Sequence, residues 1–501
     1  MKILESVLLV SFLLLLGRIT GFIREWVIAY SVGADITSDF AMVLITLPDL
    51  MVSLLVGGGF AAAIVPEFKS LKPRDGYKLF KQLFFAVGAI FSLVAIFVSF
   101  FGITFIYVMA PGLPQKFAED NLLLFWIVAF AIPLTACSGI VKAKMDTYNL
   151  FVYGAVGTLI FNLAIILLVL LPSRLNFIES IAFGILVGAS VRLGVQAIGI
   201  IKIKLAVNGS ATTDNEYKGV DKKLIRTIFT TITFSALLVL LPIIARSIAS
   251  VNSEGALTLF TYAYRINEVP LALIVGSIVT VLLPTLSSMF ELKAIEEVAD
   301  LVITSIRGTI LLCMAISIPI IFYASQLISL IFHSTKLTDA NLESIATMVA
   351  ISFFFLPFRS LLVLLFPILC CVHAAKNLGL ISLIILSTLV ISSVILTNSY
   401  GLIGTMLAYS ITNLVGAILL CLLLIKSQGA KIFKEVFSDF KLCFLVPTIF
   451  SVLVNFIGHK YFSGAIPMLF FSCLSCIVFV VLVLKTDRRF DNSSIIFRAI
   501  K

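Results

Sequence analysis

Three charged residues lie within eight positions of an apolar N-terminal segment, and their chemistry is that of anion binding. Arg18, Arg24 and Glu25 occur in the stretch GRITGFIREW, between SVLLVSFLLLL and VIAYSVG. Arginine keeps its charge and presents a planar fork that binds two phosphate or carboxylate oxygens at once. On a helix, Arg18 and Glu25 fall on nearly one face, and Arg24 lies about 120° round. Charges this close within a bilayer segment favour a polar cavity over contact with lipid.

Other apolar segments also contain charged residues. These are Asp39, Asp49, Arg192, Arg265, Glu268 and Arg359. Because arginine dominates the set, it favours one shared cavity for an anionic substrate. Two other interpretations stay open. Arg24 and Glu25 would snorkel to the outer interface, or Arg18 and the pair Arg265 and Glu268 would form structural ion pairs.

The sequence contains no pattern of a catalytic or metal site. Cys473 and Cys476 form a CxxC pair inside the apolar stretch FFSCLSCIVFVVLVL, where they are expected to be packing residues. The three histidines, His333, His373 and His459, are too dispersed for a metal cluster. P-loop, zinc-ligand and nucleophile-elbow motifs are absent from the sequence. We therefore predict no catalytic residues, no metal and no cofactor.

The composition predicts an all-α polytopic membrane protein. Of 501 residues, 60% are hydrophobic and 12% are charged, whereas a soluble domain has roughly 25% charged residues. About fourteen segments are long and apolar enough to span a bilayer as helices. They are residues 4–32, 38–65, 79–109, 121–141, 149–171, 178–201, 224–249, 256–286, 298–332, 345–371, 378–397, 401–425, 442–458 and 463–484.

The distribution of Lys and Arg among the loops predicts that both termini are cytoplasmic. Alternate loops are rich in cations, namely 67–81, 142–146, 202–226, 426–441 and the C-terminal tail. The intervening loops carry about one cation each, which is the positive-inside pattern. The net charge of +10 is explained in this way, so we predict no nucleic-acid partner.

A long polar stretch after the sixth segment predicts two blocks of six spans. Residues 47–66 and 269–284 form a weak repeat, in which each member has an opening Pro, a Leu/Val-rich run, a Gly and a closing Pro. Parallel repeats of this kind occur in transporters. The predicted organisation is an N-terminal lobe (1–206), a cytoplasmic linker (207–223), a C-terminal lobe (224–425) and two further spans with a tail (426–501).

Two stretches of the chain resemble the MurJ (MviN) family of lipid II flippases. The first is GRITGFIREWVIAYSVGADITSDFAMVLITLPDL with the following GGGFAAAIVPEF, and the second is YAYRINEVPLALIVGSIVTVLLPTLS. The resemblance implies the fold of the multidrug/oligosaccharidyl-lipid/polysaccharide exporter superfamily. Two six-helix lobes would form a V around a cationic cavity, and two C-terminal helices would shape a lipid groove.

The same resemblance implies that the chain flips lipid II by alternating access in the bacterial cytoplasmic (inner) membrane. Arg18, Arg24 and Arg265 match the family's substrate-binding arginines. Glu25, Asp39 and Glu268 match acids that would pair with arginines after the lipid leaves. The partners implied are lipid II (the undecaprenyl-diphosphate-linked disaccharide-pentapeptide) and membrane lipid, and cell-wall synthesis proteins stay open. Coupling to the membrane potential or to an ion stays open as well.

The sequence departs from the family pattern at three places. Many members have L-P-N-L-x-R-R in the second span, where this chain has LPDLMVS with Val52 and Ser53. Tyr264 replaces an acid before the arginine of the eighth span, and the stretch HAAKNLGL (373–380) lacks the family's D-x-[KR]-T-P-like turn. These departures concern the coupling mechanism more than the fold.

Three alternative functions remain at this point. One is a drug or metabolite antiporter of the same superfamily, whose cavity would be dominated by acids and aromatic residues. Another is a flippase for a different polyprenyl-diphosphate-linked glycan. The third is a non-transporting membrane scaffold for cell-wall enzymes, in which the cavity arginines would be dispensable.

Overall fold

A computed structural model shows that the chain is helical, and no strand occurs in the part that it describes. It describes residues 2–55, 59–148, 150–171, 174–208, 236, 239–291, 295–371, 375–428, 440–461 and 464–486. The all-α prediction is confirmed for these residues. Nearly all of the predicted linker, the first part of the seventh span, His373 and the C-terminal tail lie outside them.

The chain divides into two compact units, Met1–Thr258 and Leu259–Lys501. The helices of the first unit are α1 (Lys2–Ser31), α2 (Ile36–Leu55), α3 (Gly59–Ser70), α4 (Pro73–Phe100), α5 (Gly102–Met109), α6 (Gln115–Asp120), α7 (Leu122–Ala129), α8 (Ala131–Asp146), α9 (Phe151–Leu170), α10 (Phe177–Asn208) and α11 (Val239–Ser250). Helix α12 (Ala256–Glu291) begins at the end of the first unit. The predicted four-part organisation stays a prediction.

The second unit contains most of α12 and seven further described helices. They are α13 (Ile295–Phe322), α14 (Ala324–Phe332), α15 (Asp339–Phe354), α16 (Leu356–Cys371), α17 (Ala375–Gln428), α18 (Phe440–Tyr461) and α19 (Ala465–Thr486). Helices α15 and α16 form a pair that bends by 54°. Proline inside helices α13, α16 and α18 removes a backbone donor, which membrane helices tolerate when their neighbours satisfy the freed groups.

The described helices confirm a multi-pass membrane protein. Among them, eight are long and apolar enough to cross a bilayer when α7 and α8 are counted together as one (Leu122–Asp146), and the bent pair makes a ninth. Helix α17 has 54 residues and a non-helical Gly401 with φ of 57°. An unbroken helix of this length would measure about 80 Å, far more than the roughly 30 Å of hydrocarbon. Gly401 therefore joins the two segments predicted at 378–397 and 401–425, and the count of fourteen stays a prediction.

Small residues let α9 and α10 approach closely. Gly184 and Gly188 of α10 are four residues apart, the spacing of a membrane helix-packing motif. A methyl group added at Gly184 would lie 2.9 Å from the Cα of Ile165, and one added at Gly188 would lie 2.9 Å from the carbonyl oxygen of Phe161. Both glycines are therefore required by the backbone of α9, which carries part of the site described below.

We expect Gly188→Leu to destabilise the protein by about 1–3 kcal/mol, because the leucine must displace the backbone of α9. The measurement is the fraction of protein that stays monodisperse in detergent after heating, followed by size-exclusion chromatography. Gly194→Leu is the matched control on the same helix, since no atom lies within 4 Å of a methyl group at Gly194. Equal thermal stability of the two variants would contradict close packing at Gly188.

Candidate anion-binding site

Arg24 is the centre of a buried polar cluster in the first unit. Its side chain is 2% exposed, and that of Glu25 is 1% exposed. Nη1 of Arg24 donates to Oδ1 of Asn162 at 3.0 Å. Nη2 donates to Oε1 of Glu25 at 2.8 Å and lies 3.5 Å from Oδ2 of Asp49. The guanidinium fork therefore already holds acceptors from three helices, α1, α2 and α9.

The amide of Asn162 links this cluster to the backbone of α1. Nδ2 of Asn162 donates to the carbonyl oxygen of Gly17 at 3.1 Å. A methyl group at Gly21 would lie 3.4 Å from the same Nδ2. Position 21 thus lies beside the Asn162 amide, and the amide in turn orients Arg24. Asn162 was not among the predicted site residues, although an isolated amide inside an apolar span is a signal for a buried hydrogen bond.

Arg18 differs from Arg24 and Glu25 in its exposure to solvent. Its side chain is exposed, whereas those of Arg24 and Glu25 are buried. The burial of Arg24 and Glu25 inside the protein does not fit the interpretation of these two residues as snorkelling anchors. Arg24 forms a buried ion pair with Glu25 and a longer contact with Asp49.

A second arginine of the first unit, Arg192 of α10, is almost completely buried as well. Ser53, one turn after Asp49 on α2, donates its hydroxyl to the main-chain carbonyl oxygen of Asp49 at 2.9 Å. The side chain of Val52 lies outside the described residues.

Asp39 binds the first turn of α12. Its Oδ2 accepts from the backbone N–H of Gly255 at 2.9 Å. Its Oδ1 accepts from the backbone N–H of Thr258 at 2.8 Å and from the Thr258 hydroxyl at 2.7 Å. The first N–H groups of a helix have no intrahelical partner, so the carboxylate serves as an N-cap supplied by another helix. Its predicted role in pairing with arginines stays a prediction.

The second unit contains a cluster around Arg359, near the start of α16. Its Nη2 donates to Oε1 of Glu268 in a short ion pair, and its Nη1 donates to Oδ1 of Asn267 at 2.6 Å. The guanidinium carbon lies 4.7 Å from the ring centre of Tyr264 and 5.6 Å from that of Tyr409. Arg359 is therefore held by charge, hydrogen bonding and cation–π contact at once.

Arg359 contacts two residues that the sequence analysis named for other reasons, Glu268 and Tyr264. Glu268, which we considered as the partner of Arg265 on its own helix, takes Arg359 as a partner. Tyr264, which replaces an acid of the family pattern, packs on Arg359. Arg265 itself is half-buried on α12. A cavity shared by Arg18, Arg24 and Arg265 stays a prediction, because Arg18 and Arg24 belong to the first unit and Arg265 belongs to the second.

An apolar pocket of about 720 Å³ lies in the second unit between α13, α16 and α18. Residues that line it include Met314, Phe322, Phe358, Phe444 and Val452. Its dimensions and its apolar walls fit a hydrocarbon chain. It involves α18, one of the two C-terminal helices that we expected to shape a lipid groove.

The described residues offer anion-binding groups rather than metal ligands. Among them, no group of three or more His, Cys, Asp or Glu side chains is placed to hold a metal ion. Cys476 donates its thiol to the carbonyl oxygen of Ala315 at 3.2 Å, and Cys473 is exposed. The predicted absence of a cofactor stays a prediction. Carboxylates occupy the guanidinium groups of Arg24 and Arg359, and phosphate oxygens would bind there in the same geometry.

Comparison with protein families gives one match over most of the chain. The family model described as "Lipid II flippase MurJ" matches residues 28–487. The lipid II flippase MurJ of Burkholderia cenocepacia is 26% identical over 364 residues, which cover 70% of this chain and 70% of that protein. The probable lipid II flippase MurJ of Treponema pallidum is 22% identical over 512 residues, with 96% of each chain covered.

Comparison with solved structures shows the fold. The chain is similar to a lipid II flippase MurJ in an inward closed conformation, with a TM-score of 0.76, 19% identity and coverage of 98% of this chain and 99% of the other. It is also similar to an inward-facing multidrug resistance MATE family transporter, with a TM-score of 0.66, 13% identity and coverage of 82% and 95%.

Proposed function

The chain belongs to the MurJ family of lipid II flippases, and we propose that it moves lipid II from the inner to the outer leaflet of the bacterial cytoplasmic membrane. The family match extends over residues 28–487 of 501. Members of this family are transporters rather than enzymes, and the apolar helices make this chain a multi-pass membrane protein. Beyond membership of the family, we propose the substrate, the direction of its movement and the residues that bind it.

The buried Arg24 is the observation that carries the proposal. An arginine inside a membrane protein is costly unless it serves a polar partner. Arg24 already binds two carboxylates and an amide oxygen. The diphosphate of lipid II offers oxygens of the same charge in a geometry that suits the guanidinium fork. We assign the diphosphate to Arg24 together with Arg18 and Arg265.

The movement proposed is alternating access. The head group enters a cavity open to the cytoplasm, and the polyprenyl chain stays in lipid and in the apolar pocket beside α18. The two lobes then rock so that the cavity opens to the outer face. Once the lipid has left, acidic side chains bind the protein's own cations and helix ends, and this resets the site. These acids are Glu25, Asp39 and Glu268. Both termini are cytoplasmic in this scheme.

The membrane potential acts in the required direction. An inside-negative potential favours outward movement of an anionic head group, and it also favours the return of an empty cationic cavity. One elementary charge that crosses 100 mV changes the free energy by about 2.3 kcal/mol. The scheme requires neither coupling to an ion nor contacts with cell-wall synthesis proteins, and it is compatible with both.

A superfamily antiporter is the second candidate function. The similarity of the fold to a MATE transporter favours it. Against it stands the charge of the buried sites, because Arg24, Arg192 and Arg359 suit an anion better than an organic cation. Export of cationic dyes by the purified protein in vesicles would support the antiporter.

The test is rescue of a bacterium depleted of its own lipid II flippase. The chain is expressed at a measured membrane level, and lipid II on the outer leaflet is quantified by a toxin or protease that cleaves its head group. We expect growth and outer-leaflet lipid II to be restored. Purified protein in lipid vesicles that contain labelled lipid II provides a second measurement free of host effects. Correctly inserted protein that moves lipid II in neither system would overturn the proposal.

A further inference from the structure

We propose that Asp49 competes with the substrate diphosphate for Arg24 and thereby sets the affinity and the release of the lipid. This inference rests on the proposed function, since it concerns the same arginine. It assigns to Asp49 a role that differs from that of Glu25, the other acid on Arg24. Asp49 is the partner that an incoming anion displaces first, and Glu25 is the more tightly held one.

The geometry distinguishes the two acids. Glu25 is next to Arg24 on α1, its side chain is 1% exposed, and its Oε1 lies 2.8 Å from Nη2 of Arg24. Asp49 comes from α2, its side chain is 30% exposed, and its Oδ2 lies 3.5 Å from the same Nη2. The longer and more accessible contact is the weaker one, because solvent screens it more. An incoming anion would therefore displace Asp49 before Glu25.

The charge balance explains why displacement is needed. At Arg24 itself, one guanidinium is shared by two carboxylates, those of Glu25 and Asp49. A diphosphate that approaches Arg24 therefore meets two like charges that compete for the same guanidinium. When the Asp49 side chain turns away towards water, Arg24 keeps a single carboxylate, and the repulsion of the incoming anion falls. The return of Asp49 would then help to expel the diphosphate on the outer side.

The test compares Asp49→Asn with the parent protein, using undecaprenyl diphosphate as the probe. The full-length protein is purified in lipid nanodiscs, and the Kd is measured by native mass spectrometry. We expect Asp49→Asn to lower the Kd about three- to tenfold, because the amide keeps the shape of the side chain but removes the competing charge. Ser53→Ala is the matched control and should leave the Kd within about twofold, since its hydroxyl bonds only the main chain of residue 49.

A double-mutant cycle tests whether the effect passes through Arg24. In an Arg24→Ala background, Asp49→Asn should no longer tighten binding of the probe. An unchanged or raised Kd for a folded Asp49→Asn protein would overturn the inference, and so would a gain that persists without Arg24. Binding of the probe by neither protein would overturn it as well. Tight, Arg24-dependent binding together with no movement of lipid II in vesicles would instead overturn the proposed function and leave the role of Asp49 supported.

Discussion

Replacing Arg24 with alanine is expected to abolish rescue of a flippase-depleted bacterium and to lower outer-leaflet lipid II about tenfold or more. The substitution removes the fork that would bind the diphosphate. A hydrogen bond to a charged group contributes about 1.5–3 kcal/mol, and each 1.4 kcal/mol corresponds to about tenfold in binding. The measurement is the amount of cleavable lipid II at the outer face, normalised to the amount of protein in the membrane.

Two companion variants separate substrate binding from folding. Arg24→Lys keeps the charge but loses the planar fork, so it should rescue only partly. Asn162→Ala removes the amide that orients the guanidinium from α9, and it should lower flipping less than Arg24→Ala does. Each variant is compared at equal membrane level and equal thermal stability. Full rescue by Arg24→Ala under these conditions would make Arg24 a structural residue and would remove the main support for the proposed site.

The apolar composition was sufficient to predict the helices but not every break in them. Apolar segments must be helical in a bilayer because each backbone group has to pair within its own segment. The break at Gly401, whose positive φ ends one apolar helix and begins the next, coincides with the boundary expected between 378–397 and 401–425. Other bends depend on local packing, which the sequence expresses only through scattered Pro and Gly. The bend of 54° between α15 and α16 was not predicted from the residues around it.

The charged residues of the two clusters could be identified from the sequence, but partners on other helices could not. Periodicity along one helix suggests Arg265 as a partner of Glu268, because residues three apart share a face. The structure gives Glu268 a partner that such spacing does not suggest, Arg359, which is far away in sequence. The same reason explains why Asn162 and Asn267 were not predicted. The role of an amide inside a span depends on which groups of other helices it contacts, and the sequence does not show these. Helix-to-helix packing, rather than local spacing, selects these partners.

Asp39 has partners that its charge alone did not suggest. The resemblance implies that it pairs with arginines after the lipid has left, and that pairing stays a prediction. The structure places its oxygens on the backbone N–H groups of Gly255 and Thr258. The positive end of a helix attracts a carboxylate much as a cation does. Which helix end lies near Asp39 depends on the fold of the whole first unit and is not encoded near position 39.

The second large effect is expected at Arg359. We expect Arg359→Met to destabilise the protein by about 3 kcal/mol, because it removes the guanidinium that binds both Glu268 and Asn267 in a largely buried place. The methionine keeps much of the apolar volume between Tyr264 and Tyr409, so loss of packing contributes little. The measurement is the denaturant dependence of unfolding in detergent, followed by circular dichroism.

A double variant separates the cost of an uncompensated charge from the value of the ion pair itself. Replacement of both members of a buried pair by neutral residues is often nearly neutral, whereas loss of one member is not. We therefore expect Arg359→Met combined with Glu268→Gln to recover more than half of the stability that Arg359→Met loses. Arg359→Lys should fall between the parent and Arg359→Met, since an ammonium keeps the charge but cannot bind Asn267 and Glu268 in one plane. If the double variant were less stable than Arg359→Met, the pair would not be coupled, and the cation–π contacts with Tyr264 and Tyr409 would be the stabilising interaction.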